Sequence, residues 1–172
     1  MLTLESYQRG LLDLIKNRGL PQDPFLQKVA SSPGIAIVRE TAVWWRLLQI
    51  ESLCPLSSSI LKYQGQIREV VTSYFNSNRT SPYAEELSEG FLKFLGNHAD
   101  PLIRSIATLE YAVLRVRSGL GETEVIFDRN PDQVFLAMKL GGTMPSAEPD
   151  SVYRVKVARD LPGMLRCIRE AA

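Results

Sequence analysis

Apolar residues recur at helical spacing from Thr3 to Ser118. Leu4, Tyr7, Leu11, Leu14 and Ile15 fall on one stripe behind an N-cap at Thr3, predicting a first helix that Gly19 and Pro21 end. Asp23-Pro24 then repeats a start signal, a capping acceptor followed by proline, for a short helix with Phe25, Leu26 and Val29. Ser32-Pro33 opens a longer one. On it Val38, Thr41, Ala42, Trp45 and Leu48 form one stripe and Ile37, Trp44 and Leu47 a second, so two apolar faces predict that this helix is the centre of a bundle. A brief helix follows from Pro55 to Tyr63, closed near Gly65. Ile67, Val70, Val71, Tyr74 and Phe75 give the cleanest amphipathic stripe, and Asn76 to Thr80 reads as a polar loop. Ser81-Pro82 leads through Leu87, Phe91, Phe94 and Leu95 to Gly96. Asp100-Pro101 leads through Ile103, Ile106, Leu109, Glu110 and Val113.

After Gly119 the period changes from helical to alternating. Thr123, Val125 and Phe127 alternate with Glu124 and Ile126, a short strand. Asp128 to Pro131 is a turn, and Asn130 caps a helix carrying Val134, Phe135 and Met138 that Gly141-Gly142 terminates. A loop from Thr143 to Asp150 precedes Tyr153, Val155 and Val157, which alternate with Arg154, Lys156 and Ala158. Leu161-Pro162 then reads as the start of a terminal helix with Leu165 and Ile168. The predicted fold class is α+β: a helical bundle over residues 1–118, then a small α/β lobe over 119–172 with two or three strands. Two strands alone rarely make a stable sheet. A third is expected from Val113 to Arg117 or from another chain. Either way one sheet edge is expected to lie open, where a peptide can pair.

Composition narrows the function classes. With 45% hydrophobic and 23% charged residues, the 172-residue chain describes one globular unit, or two small lobes sharing a core. Twenty Lys and Arg against 19 Asp and Glu leave a net charge of +1, so no net field draws it to nucleic acid or anionic lipid. No apolar run approaches the ~20 residues of a membrane helix. The polar residues between Met1 and Arg9 argue against a secretory signal. Two cysteines, Cys54 and Cys167, fit a reducing cytosol, and with a single histidine they cannot build a multi-histidine or standard structural zinc site. The expectations are therefore a cytoplasmic binding module, not an enzyme, with no cofactor, catalytic residue or metal ligand of its own.

The candidate chemistry is sparse. His98 reads as a loop side chain hydrogen-bonded near the Asp100 cap, because a catalytic histidine needs an orienting acid and a nucleophile. Glu85, Glu86 and Glu89 read as acids complementing a helix dipole. Both cysteines read as buried small hydrophobes, and Trp44-Trp45 as core packing, since adjacent helical positions point about 100° apart and make no flat platform. The alternating tail carries the functional reading. Arg154 and Lys156, with Arg159 beyond them, read either as a solvated strand face or as cations that meet an acidic peptide pairing along an open edge. The candidate peptide-binding residues are Tyr153, Arg154, Val155, Lys156, Val157 and Arg159 on one segment, and Thr123, Val125 and Phe127 on the other.

The opening Leu4-Glu5-Ser6-Tyr7-Gln8-Arg9 with Leu11-Leu12, and Ala99-Asp100-Pro101-Leu102 through Ala107-Thr108-Leu109-Glu110-Tyr111-Ala112, carry a family resemblance. They resemble a helical domain, once labelled DNA-binding, found in partner subunits of multinuclear non-heme iron-dependent oxidases. The resemblance implies a non-catalytic adaptor in the biosynthesis of ribosomally made, post-translationally modified peptides. Such a chain binds the leader of the precursor peptide, by strand pairing at its C-terminal lobe, and the oxidase subunit, forming a heterodimer in which iron belongs to the partner. Neither nucleic acid nor membrane is an expected partner. The competing reading, a helical DNA-binding transcriptional regulator, meets the objection that near-neutral charge lacks the basic face such a protein needs.

Overall fold

The computed structural model describes residues 3–19, 21–78 and 80–171. Met1 at the polar start and Arg79 in the expected polar loop lie outside them. Among the described residues the chain forms eight α-helices and one three-stranded antiparallel sheet, an α+β fold with the helices first. The helices are α1 (Leu4–Ile15), α2 (Pro24–Ala30), α3 (Gly34–Leu53), α4 (Pro55–Tyr63), α5 (Ile67–Ser77), α6 (Ala84–Leu95), α7 (Pro101–Arg117) and α8 (Pro131–Leu140). The strands are β1 (Thr123–Phe127), β2 (Ser151–Val157) and β3 (Leu165–Ala171).

Capping side chains set the helix starts. Thr3 Oγ1 accepts from Ser6 N, Asp23 Oδ1 from Phe25 N and Leu26 N, Asp100 Oδ1 from Leu102 N, and Asn130 Oδ1 from Asp132 N and Gln133 N. Gly141, at φ 69°, closes α8 in the left-handed conformation that glycine adopts without strain. Ser81 lies further from its helix than the sequence implies, because α6 starts at Ala84 with Tyr83 in the cap position. Helix α5 extends through Asn76 and Ser77, which the polar pattern had placed in a loop.

The centre of the bundle is α7, not α3. Leu102, Ile103, Ile106, Ala107, Leu109, Ala112 and Val116 are all buried on α7, against α4 and α6 on one side and the sheet on the other. On α3 only Ile50 is fully buried; Trp44 is 50% exposed, Trp45 58% and Ile37 70%. Of the two apolar stripes only Leu47 reaches the core, beside Ile50 and Leu53; the rest of both stripes is left outside it. One apolar cluster runs from α3 and α4 through α7 to Val125, Phe127, Tyr153, Val155 and Val157. That continuity fixes the sheet against the bundle.

The tail differs from the sequence reading at its end. The order is strand, helix, strand, strand, and residues 165–171 pair with β2 instead of forming a helix. Leu161-Pro162 looked like a helix start, but Gly163 and Met164 take φ values of 63° and 66°, which turn the chain back as a hairpin. Val113 to Arg117 stays helical, so β3 itself supplies the third strand.

Candidate functional site

The sheet order is β1-β2-β3, with β2 in the middle. Its register pairs Val125 with Val155 and Val155 with Cys167, so β2 is occupied on both sides. Side chains on β2 alternate: Ser151, Tyr153, Val155 and Val157 are buried, whereas Val152, Arg154 and Lys156 lie on the outer face. Among the described residues no helix covers that outer face, and Ile126 and Ile168 are exposed on it.

The nine residues singled out from the sequence divide accordingly. Tyr153, Val155, Val157, Val125 and Phe127 are core side chains facing α7, closed to a guest. Arg154 is tied to both neighbours, at 2.8 Å from Glu170 Oε2 and 3.9 Å from Glu124 Oε2, and Lys156 Nζ is 2.7 Å from Glu122 Oε2. These cations are thus already neutralised by carboxylates flanking the strand. Arg159 does a structural job: its Nε donates to Val116 O at 2.9 Å and its Nη2 to Arg117 O, closing the C-terminus of α7. Thr123 is exposed at the start of β1.

The two outer edges differ. In an antiparallel ladder the main-chain groups of alternate residues point to opposite sides. Ala158 N donates to Met164 O, which sets the parity of the β2–β3 ladder. By that parity Arg166, Ile168 and Glu170 turn their N–H and C=O groups toward β2, and Leu165, Cys167 and Arg169 turn theirs outward. The Leu165 N–H is taken by Pro162 O in the turn, whereas no described residue pairs with the outward groups of Cys167 and Arg169. The β1 edge is partly closed, because Ser105 Oγ donates to Ile126 O at 2.9 Å and Glu148 N to Asp128 O at 2.8 Å. The open edge is therefore β3, a segment the sequence reading took for a helix. The signal that marks it is Pro162-Gly163, a turn dipeptide between an alternating strand and residues 165–171.

Beside this edge, Arg169 donates to Glu148 Oε2 at 3.1 Å and to Ser151 Oγ at 3.0 Å, with its guanidinium 5.7 Å from the Tyr153 ring centroid. Tyr153 Oη also donates to Glu148, at 2.9 Å. Cys167 is exposed, which corrects the expectation of a buried thiol; burial, then the nearby Asp132 carboxylate, raise its pKa. Cys54 is buried as expected, and burial pushes its thiol far up.

The remaining candidates hold structure together. His98 Nδ1 accepts from Asp100 N at 3.1 Å, as the loop reading implied. Glu85 and Glu86 sit in the first turn of α6, and Glu89 accepts from Tyr111 Oη at 2.9 Å and lies 2.8 Å from Lys93 Nζ. The sequence reading overlooked Glu110. Its carboxylate is 5% exposed and accepts from Leu56 N at 2.8 Å and Ser57 N at 2.9 Å, capping α4 from α7. Burial raises its pKa against the pull of those hydrogen bonds. Among the described residues no group of three or more His, Cys, Asp or Glu is placed to hold a metal ion, and no helix is long and apolar enough to cross a membrane.

Comparisons with protein-family models, with curated proteins and with solved structures return no match.

Proposed function

We infer that the chain is a non-catalytic adaptor. It binds the leader of a ribosomally synthesised precursor peptide as a fourth strand on β3 and presents it to a partner iron-dependent oxidase. The observation that carries this reading is the row of outward groups on β3, the C=O of Leu165 and the N–H and C=O of Cys167 and Arg169, which offers a template for strand addition. The resemblance of the opening helix and of the Leu109-Glu110-Tyr111-Ala112 helix to partner subunits of such oxidases supports this choice of guest and enzyme. Iron and chemistry belong to the second polypeptide.

The test is co-expression with the reading frames flanking the gene, followed by purification of the complex. Recovery of an iron oxidase and a short precursor is expected, and recovery of no oxidase overturns the reading. Cys167→Pro removes one outward N–H without breaking the ladder to β2, a position an edge strand tolerates. This variant, with its melting temperature checked, is expected to keep the oxidase and lose the peptide. Undiminished peptide binding by the folded variant excludes β3 as the edge.

A further inference from the structure

The exposed side of α3 and the groove beside it form a second surface, on the helical lobe and away from β3. At 100° per residue, Ile37, Val38, Thr41, Trp44, Trp45 and Leu48 fall within an arc of about 120°, opposite the side that carries Ile50 into the core. Five of the six are apolar, and all five are exposed. Such a stripe is the face an amphipathic partner covers. Along one flank of it runs a groove of about 860 Å³ between α1, α3 and α5, whose walls include Arg9, Lys16, Arg18, Trp45, Arg46 and Phe75. Trp45 belongs to both the stripe and the groove, so the two surfaces are continuous.

The groove carries an excess of positive charge: Arg9, Lys16, Arg18 and Arg46 line it against the carboxylate of Asp13. Lys16 Nζ donates to Asn78 O at 2.8 Å, Arg18 Nε to Asn76 O at 2.7 Å, and Arg46 Nη1 to Gln49 Oε1 at 2.9 Å. These neutral acceptors orient the cations without cancelling their charge. Among the described residues none of the three has a carboxylate within ion-pair distance, whereas Arg9 is paired with Glu5 and the β2 cations with theirs. Lys16 lies 5.0 Å and Arg46 5.9 Å from the Phe75 ring centroid. Burial, then the neighbouring Arg18 and Arg46, hold the Lys16 amine below its usual pKa, with Asp13 opposing them.

We propose that this surface docks an acidic amphipathic helix of a partner protein. Its apolar side lies on the α3 stripe, and its carboxylates enter the groove to meet Lys16, Arg18 and Arg46. Charge complementarity selects this occupant: the stripe is apolar, and the groove beside it sets Lys16, Arg18 and Arg46 against the carboxylate of Asp13, leaving an excess of positive charge. A nucleic-acid strand fits less well. Trp44 and Trp45 stand edge to face at 69°, without the parallel ring faces that bases stack on. The proposal is independent of strand pairing at β3, and either can fail alone.

The experiment uses the full chain with Trp44→Phe, which leaves Trp45 as its sole tryptophan reporter. The probe is a synthetic helical peptide of about sixteen residues, with leucine at i, i+3, i+4 and i+7 and glutamate elsewhere. Saturable change in Trp45 emission is expected, with affinity falling about tenfold in the Lys16→Gln/Arg46→Gln variant. The unsubstituted groove gives a second measure: binding weakens as salt rises from about 50 mM to about 500 mM. Equal binding of the same peptide with lysine for glutamate overturns the proposal. So does tighter binding of a single-stranded oligonucleotide of equal length, or burial of Trp45 by self-association as protein concentration rises.

Discussion

Glu110→Ala tests how much a buried carboxylate holds α4 against α7. The substitution removes both acceptors at the α4 N-terminus and leaves Leu56 N–H and Ser57 N–H facing an apolar interior. Each orphaned buried donor costs about 1–3 kcal/mol, so the pair with its lost packing costs about 3–5 kcal/mol. Against a total stability of about 5–15 kcal/mol that is a large share. For a chain of this size, about 2–4 °C per kcal/mol puts the loss in melting temperature at about 6–20 °C. Urea and thermal unfolding followed by circular dichroism measure it, and a loss below about 1 kcal/mol refutes the capping argument.

Glu110→Gln separates charge from hydrogen bonding. One oxygen still accepts, while the new amide donors confront a backbone donor, so a smaller loss of about 1–3 kcal/mol is expected. The pH dependence fixes the sign. Burial raises the folded pKa of Glu110 above its ordinary 4.5, so the folded carboxyl keeps its proton at a pH where the unfolded one has lost it. Stability contributed by the group is therefore largest below 4.5 and declines as pH rises through the raised folded pKa. Glutamine has no such term. The stability gap between the unsubstituted protein and Glu110→Gln is expected to narrow from low pH to neutrality. A gap that widens over the same range means the amide hydrogen bonds outweigh burial.

Two further outcomes follow from the same structure. Cys167 is expected to react with a thiol-directed reagent in the folded protein, whereas Cys54, fully buried with its thiol pKa pushed up by burial, reacts only on unfolding; two equally fast thiols would contradict the packing around α4. Arg159→Ala is expected to lower stability by about 1–2 kcal/mol, by freeing the Val116 and Arg117 carbonyls at the end of α7, while leaving bound peptide unaffected. Loss of peptide binding without loss of stability would return Arg159 to the binding surface.

The helical half was legible because its signals are local. Asp23, Asp100 and Asn130 each cap a helix with a proline behind them, and that pairing has one reading. Which helix lies at the centre was not legible in the same way. Both α3 and α7 are rich in apolar residues, and burial depends on what else packs against them. The sheet contacts α7, whereas the outer stripe of α3 faces solvent. The last strand was missed for a different reason. Leu161-Pro162 satisfies a helix start as well as a turn, and residues 165–170 alternate poorly, with Ile168 on the outer face beside Arg166 and Glu170. Only the pairing with β2 decides between the two, and that is a tertiary fact. The candidate site inherited the error: alternation identified β2 correctly as a strand, but it cannot tell a central strand from an edge.

The length of the open edge limits what strand addition at β3 can achieve by itself. Cys167 and Arg169 expose their N–H and C=O groups outward and Leu165 its C=O, and at about 0.5–1.5 kcal/mol net for each bond these supply about 2.5–7.5 kcal/mol. Ordering about six residues of a free peptide costs about 6–12 kcal/mol in backbone entropy alone. Main-chain pairing therefore does not hold a guest unaided. The deficit has to be met by side chains and by a second attachment. On the uncovered face the guest's alternate residues lie beside Ile168, near enough to bury apolar surface there. Under the proposed function the second attachment would be the partner: an enzyme docked on the helical lobe that also gripped the peptide would make strand pairing an intramolecular event, with a much smaller entropic cost. Under the proposed function, an adaptor built this way would hold its peptide firmly only with the enzyme present and release it when the enzyme leaves. That is the behaviour a delivery subunit needs, and it follows from the shortness of β3 as much as from its openness.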